Sequence, residues 1–239
     1  MYSEVRLSGA ATLWRSAHSA GHAVIPADGC VDLILRDGRV DVAGPSTRWL
    51  ETAPDGTDGS TGVRLAPGHA AHVLRIDLAT IADQLVPLDD LAAAGHARRL
   101  RETMLRAADR SGRQDAVSRI AALGDESAPW IDGARRSAYD AVSARDAAAS
   151  LQISERTFRR RMLTTFGYGY AALVRLERAR RAQRVLRSGS SIADAAAAAG
   201  FADQPHLSRE FQRLVGRSPA QFASQFAPSE ARQLASSGA

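Results

Sequence analysis

Residues 153–167 read ISERTFRRRMLTTFG. Phe158 and Met162 are four apart and share one helix face, while Arg156, Arg159, Arg160 and Arg161 load the remainder with positive charge. The pattern recurs: a shift of 49 residues carries Ser154 onto Asp203, Phe158 onto Leu207, Arg160 onto Arg209, Met162 onto Phe211 and Gly167 onto Gly216. Ser and Asp are good N-caps, because their side-chain oxygens accept the unpaired N–H groups of a first helical turn. Upstream, each copy has a short Ala-rich helix (143–150 and 192–199) and a tight turn. Alanines let two helices cross closely. The spacing predicts two helix-turn-helix units, in each of which one helix braces and the next is presented. Pro205 falls in a first turn, where a missing N–H costs nothing.

Between the copies, YAALVRLERARRAQRVLRSG (170–189) predicts one helix closed by Gly189. Its apolar positions are Leu173, Leu176, Ala179, Val185 and Leu186, and six arginines occupy much of the rest. At 1.5 Å per residue such a helix is about 25 Å long. Successive turns of a major groove lie about 34 Å apart, so it can hold two presented helices against one side of a duplex.

Charge separates the two halves of the chain. Residues 1–130 hold 14 Arg against 17 Asp and Glu, whereas residues 131–239 hold 17 Arg against 9. The sequence contains no Lys, a bias that explains Arg over Lys but not the asymmetry. A basic C-terminal half fits a polyanionic partner, so double-stranded DNA is the expected one. No apolar run approaches a membrane span, and the N-terminus lacks a basic and then apolar leader, so no membrane association and a cytoplasmic setting are expected. The single cysteine, Cys30, rules out an internal disulfide.

The first 80 residues read as β-rich. VDLILR (31–36) and RVDVA (39–43) flank Asp37-Gly38, a strong hairpin signal because both turn residues must tolerate positive φ. Further strands are expected at 62–66 and at 72–77, where HVLRID alternates, with an exposed loop over 53–62. From about residue 78 the pattern predicts helices: LATIADQL leading to VPLDDLAAAG, then 96–108 with Leu100, Met104 and Leu105 as its apolar stripe, then 113–123. GDESAPWIDG (124–133), rich in helix breakers, is the expected joint, and the tail from Pro228 is expected to fray. The fold class is therefore α+β. Residues 1–125 form a β-rich domain with helical additions, and residues 133–228 form an all-α domain with two helix-turn-helix motifs joined by a long helix.

The segment 141–226 resembles the DNA-binding domain of AraC/XylS-type bacterial transcription regulators. The residues that carry this are GFADQPHLSREFQRLVGRSPAQF (200–222), ISERTFRRRMLTTFG, and LERARRAQRVL (176–186) in the linking helix. The resemblance implies base-facing roles for Arg156, Arg159 and Arg160 in the first presented helix and for Gln204, His206 and Arg209 in the second. Arg213 and Arg217 suit phosphate better than bases. Two departures weaken reading by the second helix: His206-Leu207 lightens the core there, and Pro205 removes a side chain that reaches DNA in some relatives. The N-terminal half is similar, more weakly, to an uncharacterised β-rich domain found ahead of such regions, on PADGCVDLIL (26–35), Gly44-Pro45, Pro67-Gly68 and VPLDDL (86–91). Family architecture implies a sensor or dimerisation module there, of cupin-like shape. The partners it implies are a small-molecule effector, a second copy in a homodimer and, for an activator, RNA polymerase.

Other chemistry is thinly supported. Cys30 is a candidate alkylation or redox sensor if a neighbour stabilises its thiolate, and a structural thiol otherwise. His69 and His72 lack the further ligands a metal needs, since His18 and His22 are distant in sequence. Asp28 and Asp32 can share one face of a continuing strand, but no nucleophile, phosphate loop or cofactor fingerprint accompanies them. Turn duty accounts for Asp28. No enzyme, metal or cofactor is expected. Two alternatives to a sequence-specific regulator remain: a Cys30-based sensor-regulator and a non-specific architectural DNA binder.

Overall fold

The computed structural model describes residues 2–6, 10–17, 24–52, 55–109, 113–124 and 128–226. The N-terminal strands are β1 (Tyr2–Arg6), β2 (Ala11–Ser16), β3 (Val24–Ile25), β4 (Val31–Arg36), β5 (Arg39–Ala43), β6 (Leu50–Glu51) and β7 (Ser60–Leu65). The hairpin β4–β5 pairs Arg36 with Arg39 across Asp37 (φ 45°) and Gly38 (φ 75°), the two positive-φ residues such a turn demands. One antiparallel sheet runs in the order β1-β2-β7-β4-β5-β8, with β8 at Leu85–Pro87, while β3 and β6 pair separately.

Strand alternation sorts the two faces. Leu13 lies opposite Val63, which lies opposite Leu33, and all three are buried beneath helices α1 (Ala70–Leu74), α3 (Ala94–Ala108) and α4 (Arg113–Gly124). The opposite face is polar. There Arg64 of β7 sits between Thr12 and Asp32, and the Trp14 indole N–H donates to Asp32 Oδ1 at 2.5 Å.

Three expectations are corrected here. HVLRID is not a strand: residues 70–74 make the short helix α1, because Ala70, Val73 and Leu74 form one buried i, i+3, i+4 face, and Arg75 ends it in the left-handed region (φ 60°). The stretch LATIADQLVPLDDL is not continuous helix. A 3-10 turn at Leu78–Ile81 gives way to β8, whose backbone completes the sheet against β5, before α2 (Leu88–Leu91). Leu105 is 47% exposed; Ala107 joins Leu100 and Met104 in the core, because Ala97, Leu100, Met104 and Ala107 make the helix's i, i+3, i+7 face and Leu105 lies off it.

The remaining helices are α5 (Ala128–Tyr139), α6 (Ala144–Ser150), α7 (Glu155–Phe166), α8 (Tyr170–Arg187), α9 (Ile192–Ala199), α10 (Gln204–Val215) and α11 (Pro219–Ala223). Helix α5 begins inside the stretch read as a joint. Pro129 is tolerated in its first turn, and Ile131 and Ala134 are buried among the C-terminal helices. Buried apolar residues accordingly form two clusters, one spanning positions 11–120 and one drawn from 131–222 together with Ala27. The tail from Pro228, and His18 and His22, lie outside the described residues.

Candidate DNA interface

Each helix-turn-helix unit is locally determined. Ser143 and Ser191 cap the bracing helices α6 and α9 by accepting from the N–H of Asp146 and Asp194 at 3.1 Å each. Ser154 accepts from Thr157 N–H at 3.2 Å to open α7, and Asp203 accepts from His206 N–H at 2.6 Å to open α10. Both helices end on a left-handed glycine, Gly167 (φ 81°) and Gly216 (φ 74°). Positive φ favours glycine there, and no room is left for a side chain.

The buried stripe of α7 is Phe158, Met162 and Phe166; that of α10 is Leu207, Phe211, Leu214 and Val215. Phe158 meets Tyr170 edge-on at 5.1 Å between centroids, and Phe211 meets Phe222 at 5.4 Å, so the same aromatic joint ties each presented helix to the following segment. The fixed stripes force the opposite faces outward. Arg156, Arg159, Arg160 and Arg161 on α7, and Gln204, Arg209 and Arg213 on α10, are exposed. His206 is half-buried, its ring edge-on to Phe201 at 5.3 Å, which fixes where the imidazole points.

The exposed cations differ in how free they are. Arg159 pairs with Glu155 at 2.5 Å, and Arg213 approaches Glu210 at 3.9 Å. Arg156, Arg160 and Arg209 are in no ion pair among the described residues. Glu155, Arg156 and Arg159 bound a shallow cleft of about 260 Å³ at the start of α7. There Glu155 takes up Arg159, which leaves the Arg156 guanidinium as the uncompensated charge beside the positive end of the helix dipole.

The linking helix α8 has 18 residues, about 27 Å of rise. The sequence places six arginines around its apolar positions, and the fold divides them. Arg181 lies over the Tyr139 ring at 4.3 Å, Arg187 lies over Phe222 at 5.2 Å, and Arg175 approaches Glu210 of α10 at 3.9 Å. Arg180 is drawn inward, paired with Glu177 at 2.7 Å and donating to the Asp28 carbonyl of the N-terminal half. The i, i+3 relation of Glu177 and Arg180 was the only sequence signal of that internal role.

The other sequence candidates resolve into structure. Cys30 is buried, and burial, reinforced by the Asp28 carboxylate, pushes its thiol well above the usual range. A protonated, enclosed thiol lacks the thiolate that a reactive sensor needs. The Asp28 side chain accepts from Cys30 N–H at 2.9 Å, the expected turn role, and its other oxygen lies 3.6 Å from Arg64. Asp32 also faces Arg64, at 3.3 Å. His69 is buried and His72 exposed, and no group of three or more metal-ligating side chains occurs among the described residues. No described helix is long and apolar enough to cross a membrane.

Residues 147–225 match the family model of a helix-turn-helix domain, and residues 11–87 match that of a domain of unknown function, DUF6597. Among solved structures, the chain is similar to the C-terminal domain of AraT, a response regulator from Geobacillus stearothermophilus. That match has 23% identity and a TM-score of 0.39, over 43% of this chain and 89% of that one. It is also similar to ToxT from Vibrio cholerae O395, at 11% identity and a TM-score of 0.45, over 95% and 98% of the two chains. A third likeness is to unsaturated fatty acid bound wild-type ToxT from Vibrio cholerae strain SCE256, at 10% identity and a TM-score of 0.48, over 92% and 96%. No curated protein matches the chain.

Proposed function

We propose that this chain is a DNA-binding transcription regulator of the AraC/XylS type, a reading that its helix-turn-helix match supports, and that it reads a specific operator with α7 and α10 in adjacent segments of the major groove. The observation that carries the reading is the duplicated construction: two capped helices, each with a buried stripe on one side and exposed polar cations on the other, spaced by one helix of about 27 Å. Arg156, Arg160 and Arg209, unpaired with any described carboxylate, are assigned to base edges, where a guanidinium meets guanine O6 and N7 bidentately. Arg159 and His206 flank those two faces, and Gln204 stands at the exposed first turn of α10. Arg213 is assigned to phosphate, and phosphate contacts make binding strongly salt-dependent. Residues 133–228 act as the DNA-binding domain, in the cytoplasm. Residues 1–125 act as the module that senses a small-molecule signal or pairs two copies. Contact with RNA polymerase follows if the regulator activates.

The test is selection of bound DNA from a random pool at moderate salt, with the parent, Arg156→Ala and Arg209→Ala. Two short blocks about one helical turn apart are expected, each variant blurring one. Uniform weakening with no motif would leave a general, architectural DNA binder instead.

A further inference from the structure

The last carbonyls of a helix have no partner within it. In α10 those carbonyls are met by the other half of the chain: Ala27 N–H donates to the Leu214 carbonyl at 2.7 Å, and Trp49 N–H to that of Arg213 at 3.5 Å. Ala27 follows β3 and Trp49 precedes β6, two strands that pair with each other, so one ribbon supplies both donors. The contact is close as well as polar. A Cβ added at Gly216 would meet Val24 at 2.8 Å and Trp49 at 2.9 Å. The end of α7 is approached by packing rather than by donors: a Cβ at Gly167 would meet Pro45 of the same segment at 2.5 Å and the Leu78 carbonyl at 2.9 Å.

The intervening loop is braced from both sides. Gly29 N–H donates to the Ser46 carbonyl at 3.0 Å, and Asp28 N–H donates to the Ser46 hydroxyl at 3.2 Å. The Thr47 N–H and hydroxyl donate to the Asp83 carboxylate at 2.6 and 2.7 Å. Onto this loop the linking helix places Arg180, which donates to the Asp28 carbonyl and, at 3.7 Å, to the Cys30 sulfur. Tyr168, just past α7, donates to the Gly29 carbonyl at 3.3 Å.

We infer that residues 24–50 form a clamp that sets the separation of the two presented helices, with Arg180 as the positioning residue that locks it to α8. Helix α8 holds the two units from one side, through Tyr170 against Phe158 of α7 and through its packing on α9, α10 and α11. The clamp adds a second tether at the far end of both α7 and α10, which restricts rotation of one unit against the other. The N-terminal half thereby becomes a determinant of how far apart two DNA blocks may lie. That consequence rests on the DNA reading proposed above; the geometry does not.

The test uses spin labels at Arg161→Cys and Gln212→Cys, both exposed, in the full chain, with pulsed dipolar spectroscopy of the distance between them. The buried Cys30 stays unlabelled. A narrow distribution is expected in the parent and a broad one in Arg180→Ala and in Trp49→Ala, with Arg180→Lys, which keeps the charge but loses the fork, narrower than Arg180→Ala. Equal widths in all four overturn the clamp. Selection from random DNA gives the second readout. The loosened variants are expected to keep the sequence of each block but accept altered spacings, with affinity for the parent spacing falling about tenfold, within the range usual for coupled sites. A parent that selects no blocks would sink the DNA reading, while the distance distributions still decide the clamp.

Discussion

Arg209 and Phe211 are two residues apart on α10 and have opposite duties, so replacing each by alanine separates folding from binding. Phe211 is fully buried and rests edge-on against Phe222. Its loss costs about 3–5 kcal/mol through lost transfer energy and the cavity left behind. The aromatic pair accounts for about 0.5–1.5 kcal/mol of interaction beyond area. Against a typical total of about 5–15 kcal/mol, Phe211→Ala consumes a large share of stability. Arg209 is exposed and in no ion pair among the described residues, so Arg209→Ala changes stability by no more than about 0.5 kcal/mol. It removes the base contact proposed above, however, and on that reading lowers affinity for the selected operator by about 1–3 kcal/mol, roughly five- to 150-fold. Urea denaturation measures the first quantity and fluorescence anisotropy with labelled operator the second. The reasoning fails if Arg209→Ala unfolds at markedly lower urea, or if it binds every sequence as the parent does.

Further outcomes are expected. Ser154→Ala removes the α7 cap and costs about 1 kcal/mol of unfolding free energy, which Ser154→Asp restores; equal urea midpoints for all three would refute the capping role. Gly38→Ala destabilises by about 1 kcal/mol through positive φ alone, because no atom lies near its missing Cβ, and a neutral substitution would show that the turn relaxes. Native Cys30 reacts with iodoacetamide no faster than the chain unfolds, and mass spectrometry of a native sample that labels at once would contradict its burial. Because the native thiol is raised, the unfolded chain loses its proton first. Stability from Cys30 is therefore whole below the unfolded pKa of about 8.5 and falls above it, by up to about 1.4 kcal/mol per pH unit, until the native thiol ionises. Cys30→Ala should flatten that decline in urea titrations above pH 8.5.

The parts legible in the sequence are those fixed by neighbours along the chain. The duplicated stripes Phe158/Met162 and Leu207/Phe211, the caps Ser154 and Asp203 and the stops Gly167 and Gly216 describe α7 and α10 correctly, because periodicity and capping act within a turn or two. The hairpin over 31–43 was legible for the same reason, since Asp37-Gly38 dictates its own turn. HVLRID was misread because six residues are too few for alternation to decide; burial of Ala70, Val73 and Leu74 decided it. Leu85–Pro87 became a strand only because β5 offered an edge to pair with. The division of the α8 arginines was largely hidden: beyond the i, i+3 spacing from Glu177, nothing local says that Arg180 reaches residue 28 while Arg184 stays outside. The sequence alone thus determined two presented helices and which side of each faces out. The tertiary structure alone decided what holds their far ends, because the donors that meet the α10 carbonyls, Ala27 and Trp49, lie more than a hundred residues away and are brought there by packing rather than by any local code.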